Sequence, residues 1–200
     1  MSQIKPLDHI LEALSRSIPD PEKEALLGIF QPYKIAKGRV LVAQGEVSTK
    51  MYFIEKGVMR VYYTRGSEDV TSLLASDGEV VCIAASFFRQ QPSEEILETL
   101  EDCMVYSFTY ELYRKLASYD PGLAQLTIRL LEQQLISFGD TIRMFKYLSV
   151  EQRISHYLRQ SSSVFRRIPD QYIATYLGTT GATFSRCLKN VDPDKDYKTT

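Results

Sequence analysis

A heptad series of apolar residues in the second half of the chain constrains the fold most. From position 128 to position 145 the apolar residues are spaced by three, four, three, four and three, which is the a/d pattern of a coiled coil. The six positions are Ile128, Leu131, Leu135, Phe138, Ile142 and Phe145. A helix that contains them would reach about 40 Å and would overhang a small domain. An overhanging apolar ridge needs a partner helix, so the series predicts a homodimer. The alternative is a wide apolar stripe that packs on the chain's own domain.

The segment before this helix has the pattern of short strands. From Tyr33 to Thr109, stretches rich in β-branched and aromatic residues alternate with turn signals. The turn signals are Gly45, Lys56–Gly57, Gly66 and Asp77–Gly78, about ten residues apart. This spacing favours a β-roll or jelly roll over alternating βαβ units. Two short helices are expected before the strands, within residues 7–19 and 21–30.

The last part of the chain predicts short helices. Ser149 and Gln152 have the spacing of a capping box, which predicts a helix that follows Ser149. Further on, Gly178 lies between two helical patterns, where a sharp turn requires the positive φ that glycine adopts at low cost. Thr179 or Thr180 can cap the second of these helices. The positions expected to face inward are Ile173, Ala174, Leu177, Phe184 and Leu188.

This layout is that of a helix-turn-helix, whose second helix offers its N-terminal half to DNA base edges. The alternative is an αα-hairpin that binds no ligand. Charge favours DNA: residues 147–190 hold two acidic against six basic residues, whereas residues 1–116 hold 17 acidic against 13 basic. The candidate DNA-binding residues are Arg166, Arg167, Thr180, Thr183, Ser185, Arg186 and Lys189.

Other classes of protein have little support in the sequence. The first ten residues lack the apolar core of a signal peptide, and the longest apolar run is about half a membrane span, so we expect a cytoplasmic protein with no membrane contact. Jelly-roll metalloenzymes need converging histidines, but residues 37–109 contain none, and no metal site or catalytic set is predicted. The chain is therefore not expected to be an enzyme.

The order of these elements resembles the Crp/Fnr superfamily, the bacterial regulators related to the cyclic-AMP receptor protein. The likeness rests on "EKGVMRVYY" in the roll, the heptad helix and the final hairpin, and it covers nearly the whole chain. It implies an α+β protein with a cyclic-nucleotide-binding-like β-roll sensor domain and flanking helices at residues 1–119. A dimerisation helix at 120–147, a helix-turn-helix domain at 148–190 and a tail at 191–200 follow. The third unit is winged-helix-like, although the acidic sequence after Asn190 leaves no wing.

The resemblance implies a homodimeric transcription factor that binds double-stranded DNA and has RNA polymerase as a further partner. It also exposes a departure in the sensor. Members that bind cyclic nucleotides carry Gly-Glu for the ribose and Arg-Ser for the phosphate, but this chain has Cys82–Ile83 and Ser93–Glu94–Glu95 there. Glutamates would repel a phosphate that needs a guanidinium fork, and nearby Arg89 is misplaced in the match. We therefore expect the effector pocket, built by these six residues, to bind neither cyclic AMP nor cyclic GMP, and we expect no cofactor.

Two further departures leave alternatives open. Haem and iron–sulfur members of the family need Cys or His ligands, and only His9, Cys82 and Cys103 are available, so buried thiols are the expected state of the cysteines. In the recognition helix, Gly181–Ala182 replace the Arg-Glu pair of the receptor protein, whereas Arg186 matches its second arginine. The chain either reads a different operator or is a dimeric signalling or protein-interaction module with a decayed DNA hairpin.

Overall fold

Two antiparallel sheets of four strands form the N-terminal half of the protein. The computed structural model describes residues 31–119, 121–160, 164 and 166–190. Both helices predicted before residue 31, His9 and the predicted tail lie outside the described residues. One sheet has the order β1-β8-β3-β6 and the other β2-β7-β4-β5. The strands are β1 (Tyr33–Ile35), β2 (Val40–Val42), β3 (Lys50–Lys56), β4 (Met59–Arg65), β5 (Glu68–Ala75), β6 (Val80–Val81), β7 (Ile96–Thr99) and β8 (Cys103–Thr109).

The two sheets enclose an apolar core. Ile54 of β3 and Val105 of β8 face Val61 of β4 and Leu97 of β7, and each of these side chains is almost fully buried. Alternation of such residues along the strands is what the sequence pattern predicted, since successive side chains of a strand point to opposite faces. Together with the helices described below, this sandwich confirms the predicted α+β fold with a jelly roll.

A register shift interrupts the β4–β5 hairpin. Val61 pairs with Leu73 and Tyr62 pairs with Thr71, so Ser72 is the extra residue of a β-bulge. Bulges redirect a side chain from its regular face, and the Ser72 hydroxyl lies 2.5 Å from Oε1 of Glu95. The bulge therefore ties β5 to the segment that leads into β7.

Six helices complete the described part of the chain. They are α1 (Ala84–Arg89), α2 (Tyr110–Tyr119), α3 (Pro121–Tyr147), α4 (Val150–Gln160), α5 (Asp170–Tyr176) and α6 (Gly181–Leu188). Sequence reasoning did not predict α1 and α2. The capping box of α4 is confirmed: the Ser149 amide donates to Oε1 of Gln152 at 2.8 Å, and the Gln152 amide donates to Oγ of Ser149 at 3.3 Å.

The C-terminal helices pack against the sandwich rather than standing apart from it. Val58 at the β3–β4 turn and Leu100 after β7 are buried in the same apolar cluster as Ile154, Ile173 and Phe184 of the helices. The Thr71 amide on β5 also donates to Oγ1 of Thr175 on α5 at 3.2 Å. One apolar core is therefore shared by the end of the sandwich and the helix pair.

Candidate nucleic-acid interface and effector pocket

Helices α5 and α6 form the predicted hairpin. Ile173, Ala174, Leu177 and Phe184 are completely buried, so the apolar sides of both helices face inward as the spacing predicted. Gly178 has φ +68° at the turn, and an added Cβ would lie 3.0 Å from both Nη1 of Arg153 and Cε1 of Phe145. Only glycine meets both requirements without strain. The hairpin is therefore held by its apolar side and by one turn residue.

The outer face of α6 holds most of the predicted DNA-binding residues. Thr180 is the N-cap, and its hydroxyl oxygen accepts from the Thr183 amide at 3.2 Å. Thr180, Ser185, Arg186 and Lys189 are exposed, and Thr183 is half-buried. The helix N-terminus adds the partial positive charge of its free amides. The face offers hydroxyls, two cations and a helix N-terminus to a polyanion.

Two further candidates, Arg166 and Arg167, precede α5 and differ in their surroundings. Arg166 is exposed, whereas Arg167 is half-buried and forms ion pairs with Asp77 and Glu101 of the sandwich. These acceptors raise the pKa of Arg167, and the Arg167 hydrogen bonds lower the pKa of Asp77. In this arrangement the Arg167 guanidinium faces carboxylates of its own chain rather than solvent.

The heptad positions of α3 lie on the surface of the single chain. All six of these large apolar side chains are exposed by 40% or more, and Leu135 reaches 72%. The ridge is thus not folded back over the β-sandwich, which was the alternative arrangement. Phe145, at the C-terminal end of the ridge, also contacts the helices that follow. The guanidinium of Arg153 on α4 lies 5.1 Å from the centroid of the Phe145 ring. The ridge and the hairpin turn therefore meet at one aromatic side chain.

A pocket of ≈ 730 Å³ lies on the sandwich between α1, the segment before β7 and Tyr63–Thr64 of β4. Its lining includes Ile83, Arg89, Ser93, Glu94 and Glu95, five of the six predicted effector-pocket residues. Cys82 is not among the lining residues. The Ser93 hydroxyl donates to the Glu95 carbonyl at 2.8 Å and accepts from the Glu95 amide at 2.9 Å, which holds this segment in a tight turn.

The pocket lining includes glutamates at the position where the family resemblance expects phosphate-binding groups. Glu94 is exposed at the edge, and the Glu95 carboxylate accepts from Ser72. A phosphate anion needs a guanidinium fork or clustered amide donors, and carboxylates at this position oppose it. Arg89 lies on the pocket wall and is exposed. The pocket wall thus combines two glutamates with one exposed arginine.

Two arginines that contact the hairpin, the buried Arg60 and the half-buried Arg153, were missed by sequence reasoning. Arg60 on β4 donates to Glu98 at 2.6 Å and to Asp69 at 3.1 Å, and its guanidinium lies 3.7 Å from the ring centroid of Tyr172 on α5. Arg153 on α4 donates to the Leu177 carbonyl at 2.6 Å and so caps the end of α5. The signal for Arg60 was an arginine inside the strand pattern "GVMRVYY". Both residues attach the hairpin to its surroundings.

The expectation of buried thiols holds for two of the three cysteines. Cys103 and Cys187 are buried and Cys82 is half-buried, and all three are free thiols. Burial raises the pKa of Cys82 to about 12 and that of Cys103 to about 11. Within the described residues, no three His, Cys, Asp or Glu side chains come together as a metal site would require. The described helices include none with the length and apolar character to span a membrane.

Comparison with known proteins gives one consistent result. Residues 32–120 match the family model of the cyclic nucleotide-binding domain. The anaerobic regulatory protein of Haemophilus influenzae is 27% identical over 186 residues, which cover 86% of this chain and 71% of the relative. The protein of the same name from Aggregatibacter actinomycetemcomitans is 28% identical over 167 residues. This match covers 77% of this chain and 64% of that relative.

A solved structure gives the same result at the level of the fold. This structure, from Eubacterium rectale and assigned to the Crp/Fnr family, superposes with a TM-score of 0.70 at 18% identity. The match covers 88% of this chain and 85% of that one. This superposition supports the described fold over most of the chain. The chain is therefore similar in fold to a solved structure assigned to the Crp/Fnr family, and residues 32–120 match the cyclic nucleotide-binding domain.

Proposed function

We propose that the protein is a homodimeric, DNA-binding transcriptional regulator. The observation that carries the proposal is the outer face of α6, where Arg186 and Lys189 are exposed on a helix whose inner side is buried at Phe184 and Cys187. A helix fixed on one side and polar on the other can enter a major groove without unfolding. Relatives named as regulatory proteins support the same conclusion.

The residues on this face divide between two roles. Arg186 is the candidate for base recognition, since arginine contacts guanine through two hydrogen bonds. Thr180, Thr183, Ser185 and Lys189 are candidates for phosphate or base-edge contacts, and Arg166 for a phosphate contact. Gly181 and Ala182 are exposed but offer no polar side chain, so part of the specificity would come from DNA shape.

The ridge on α3 supports a second copy of this chain as the partner. Six large apolar side chains are exposed in one a/d row, and a continuous exposed apolar row of this kind is unusual on a monomer surface. Pairing of two ridges would place two hairpins on the same side of the dimer. Half-sites one duplex turn apart would then match the protein's two-fold axis.

The pocket supports a sensor that has lost cyclic nucleotides as ligands. Its position in the cyclic nucleotide-binding domain matches that of the predicted effector site, but Glu94 and Glu95 oppose a phosphate. We infer that cyclic AMP and cyclic GMP do not bind at micromolar concentrations.

The experiment that tests the proposal is fluorescence anisotropy with the DNA upstream of the protein's own gene. Replacing Arg186 by alanine should weaken binding by about 1–3 kcal/mol, roughly fivefold to 150-fold, and should do so for this DNA more than for a scrambled duplex. Arg114→Ala, an exposed arginine on α2, is the matched control and should leave the affinity unchanged. Binding should also weaken as salt concentration rises.

One observation favours a second function, a dimeric protein-interaction module. Gly181 and Ala182 have no polar side chain, although they lie in the part of α6 that would meet base edges. If wild-type protein binds no duplex at low salt, or if Arg186→Ala and Arg114→Ala behave alike, this second function replaces the first. A dimer would then persist without DNA binding.

A further inference from the structure

Arg167 is held by two carboxylates from different turns of the sandwich. Its Nη1 donates to Oδ2 of Asp77 at 2.7 Å and its Nη2 to Oδ1 of the same residue at 3.1 Å. Its Nε lies 3.3 Å from Oε2 of Glu101, and its Nη2 also contacts Oε1 of Glu101. Three guanidinium nitrogens are therefore all engaged. This set of contacts is called the Arg167 clamp below.

The acceptors of the clamp are fixed in place. Asp77 lies in the turn between β5 and β6, and its Oδ1 also accepts from the Gly57 amide at 2.6 Å. Glu101 lies in the turn between β7 and β8, one residue after Leu100, which is buried in the core shared with the helices. The two carboxylates thus present oxygens from a rigid framework to the planar guanidinium. Such a bidentate arrangement is the one that arginine also makes with phosphate.

The position of Arg167 connects the clamp with DNA binding. It lies three residues before α5, next to exposed Arg166, at the N-terminal end of the helix-turn-helix. Arginines and helix N-termini at such positions make backbone phosphate contacts in protein–DNA complexes. In the described arrangement the Arg167 charge is compensated by Asp77 and Glu101, whereas the Arg186 charge on α6 is not involved in any such ion pair among the described residues.

We propose that the Arg167 clamp is an autoinhibitory contact, in which Asp77 and Glu101 compete with DNA phosphate for the Arg167 guanidinium. This inference rests on the proposed DNA-binding function. Arg167 makes its phosphate contact only after release from the clamp, so the clamped protein binds DNA with one phosphate contact fewer. Release also removes the two ion pairs that join Arg167 to the sandwich, while Ile168 next to it stays buried in the shared apolar cluster.

The test is a cycle of variants measured with one probe. The probe is a mixed-sequence, fluorescein-labelled duplex of about three helical turns, which reports the phosphate contacts without operator sequence. Four proteins are compared by anisotropy across a salt series. They are the wild type, Asp77→Asn/Glu101→Gln, Arg167→Ala and the triple variant that combines all three changes.

The clamp predicts a specific pattern across the cycle. Asp77→Asn/Glu101→Gln should bind about threefold to tenfold more tightly than wild type, and its plot of log affinity against log salt should be steeper by about 0.9, the value for one added phosphate contact. Arg167→Ala should change wild-type affinity little, because the clamped side chain contributes little. The triple variant should lose the gain in affinity and in slope.

Charge alone would produce a different pattern. Glu55→Gln/Glu111→Gln removes the same charge from exposed positions of the described chain and should not change the salt slope. The proposal is overturned if the gain persists in the triple variant, or if Arg167→Ala weakens wild type as much as it weakens Asp77→Asn/Glu101→Gln. If the double variant does not fold, Glu101→Gln alone is taken through the same cycle.

The clamp and the proposed function fail in distinguishable ways. If wild type shows no salt-dependent binding to the probe and Arg186→Ala has no effect, DNA binding itself is wrong. If wild type binds, and the two-carboxylate variant binds with equal affinity and equal slope, only the clamp is wrong.

Discussion

Ligand selection by the pocket depends on single residues of the turn before β7. Ser93 fixes that turn by its two hydrogen bonds with the Glu95 backbone, and Ser72 of the bulge holds the Glu95 carboxylate at 2.5 Å. Glu94, next to them, is exposed at the pocket edge. The turn thus places negative charge where the family resemblance puts a phosphate-binding arginine.

This arrangement predicts that isothermal titration calorimetry of the wild type with cyclic AMP will show no binding at micromolar concentrations. Glu94→Arg exchanges a repulsive for an attractive charge and should increase the affinity for cyclic AMP about tenfold or more. Glu55→Arg makes the same change at an exposed β3 position outside the pocket lining and is the matched control. A micromolar Kd for the wild type would show that the carboxylates do not govern selection.

Residue-scale contacts are also where sequence reasoning reached its limit. The spacing of Gly178 and of Ser149 with Gln152 predicted their roles because each depends on neighbours within a few positions. The ion pair of Arg167 with Asp77 joins residues 90 positions apart. Such a contact depends on how the helices dock on the sandwich, which no local pattern encodes. The basic segment before α5 was recognised, but the internal partners of Arg167 were not.

At the scale of elements, sequence periodicity predicted more of the structure than it did for residue contacts. Strand patterns between Tyr33 and Thr109 and the heptad series on α3 both correspond to elements of the structure. Helix α1 was missed because its sequence, AASFFR, is too short for a helical period to show. Helix α2 was missed because its amphipathic pattern directly follows the last residue of β8. Continuous periodic segments were predictable, and short helices at strand ends were not.

The ridge of α3 carries the prediction at this scale. Leu135 is its most exposed member, at 72%, and lies at its centre. Leu135→Glu should abolish dimer formation, because pairing would bury two carboxylates without partners. Sedimentation velocity should show a dimer for wild type and a monomer for the variant. Circular dichroism should show unchanged helix content, since the Leu135 side chain is largely exposed in the single chain.

A second apolar side chain on the same helix provides the control. Tyr147 is 78% exposed but lies outside the a/d row, so Tyr147→Glu should leave the dimer intact. A dimer that survives Leu135→Glu, or a monomeric wild type, would exclude the ridge as the interface. Equal loss of the dimer in Leu135→Glu and Tyr147→Glu would indicate a general effect of charge on the helix.

At the scale of the whole molecule, the packing joins parts that the sequence divides into units. The sandwich has its own core around Ile54 and Leu97, and a second apolar cluster contains both sandwich residues and helix residues. Arg60 of the sandwich also lies against the ring of Tyr172 on α5. The boundaries predicted at residues 119 and 147 coincide with helix ends, but apolar contacts cross them. Movement of the hairpin would therefore have to disturb buried apolar contacts.

Because the sandwich and the helices share this core, a destabilising substitution in the sandwich should also destabilise the helices. Leu100→Ala should cost about 2–5 kcal/mol of unfolding free energy, and it removes contacts to the helices although Leu100 belongs to the sandwich. Hydrogen exchange measured by mass spectrometry should therefore increase in α4, α5 and α6 as well as in β7 and β8. Val105→Ala, in the sandwich's own core, should raise exchange mainly in the strands when compared at equal loss of stability. If Leu100→Ala leaves exchange in the three helices unchanged, the helical unit is energetically independent of the sandwich, and the contacts across the boundary carry no coupling.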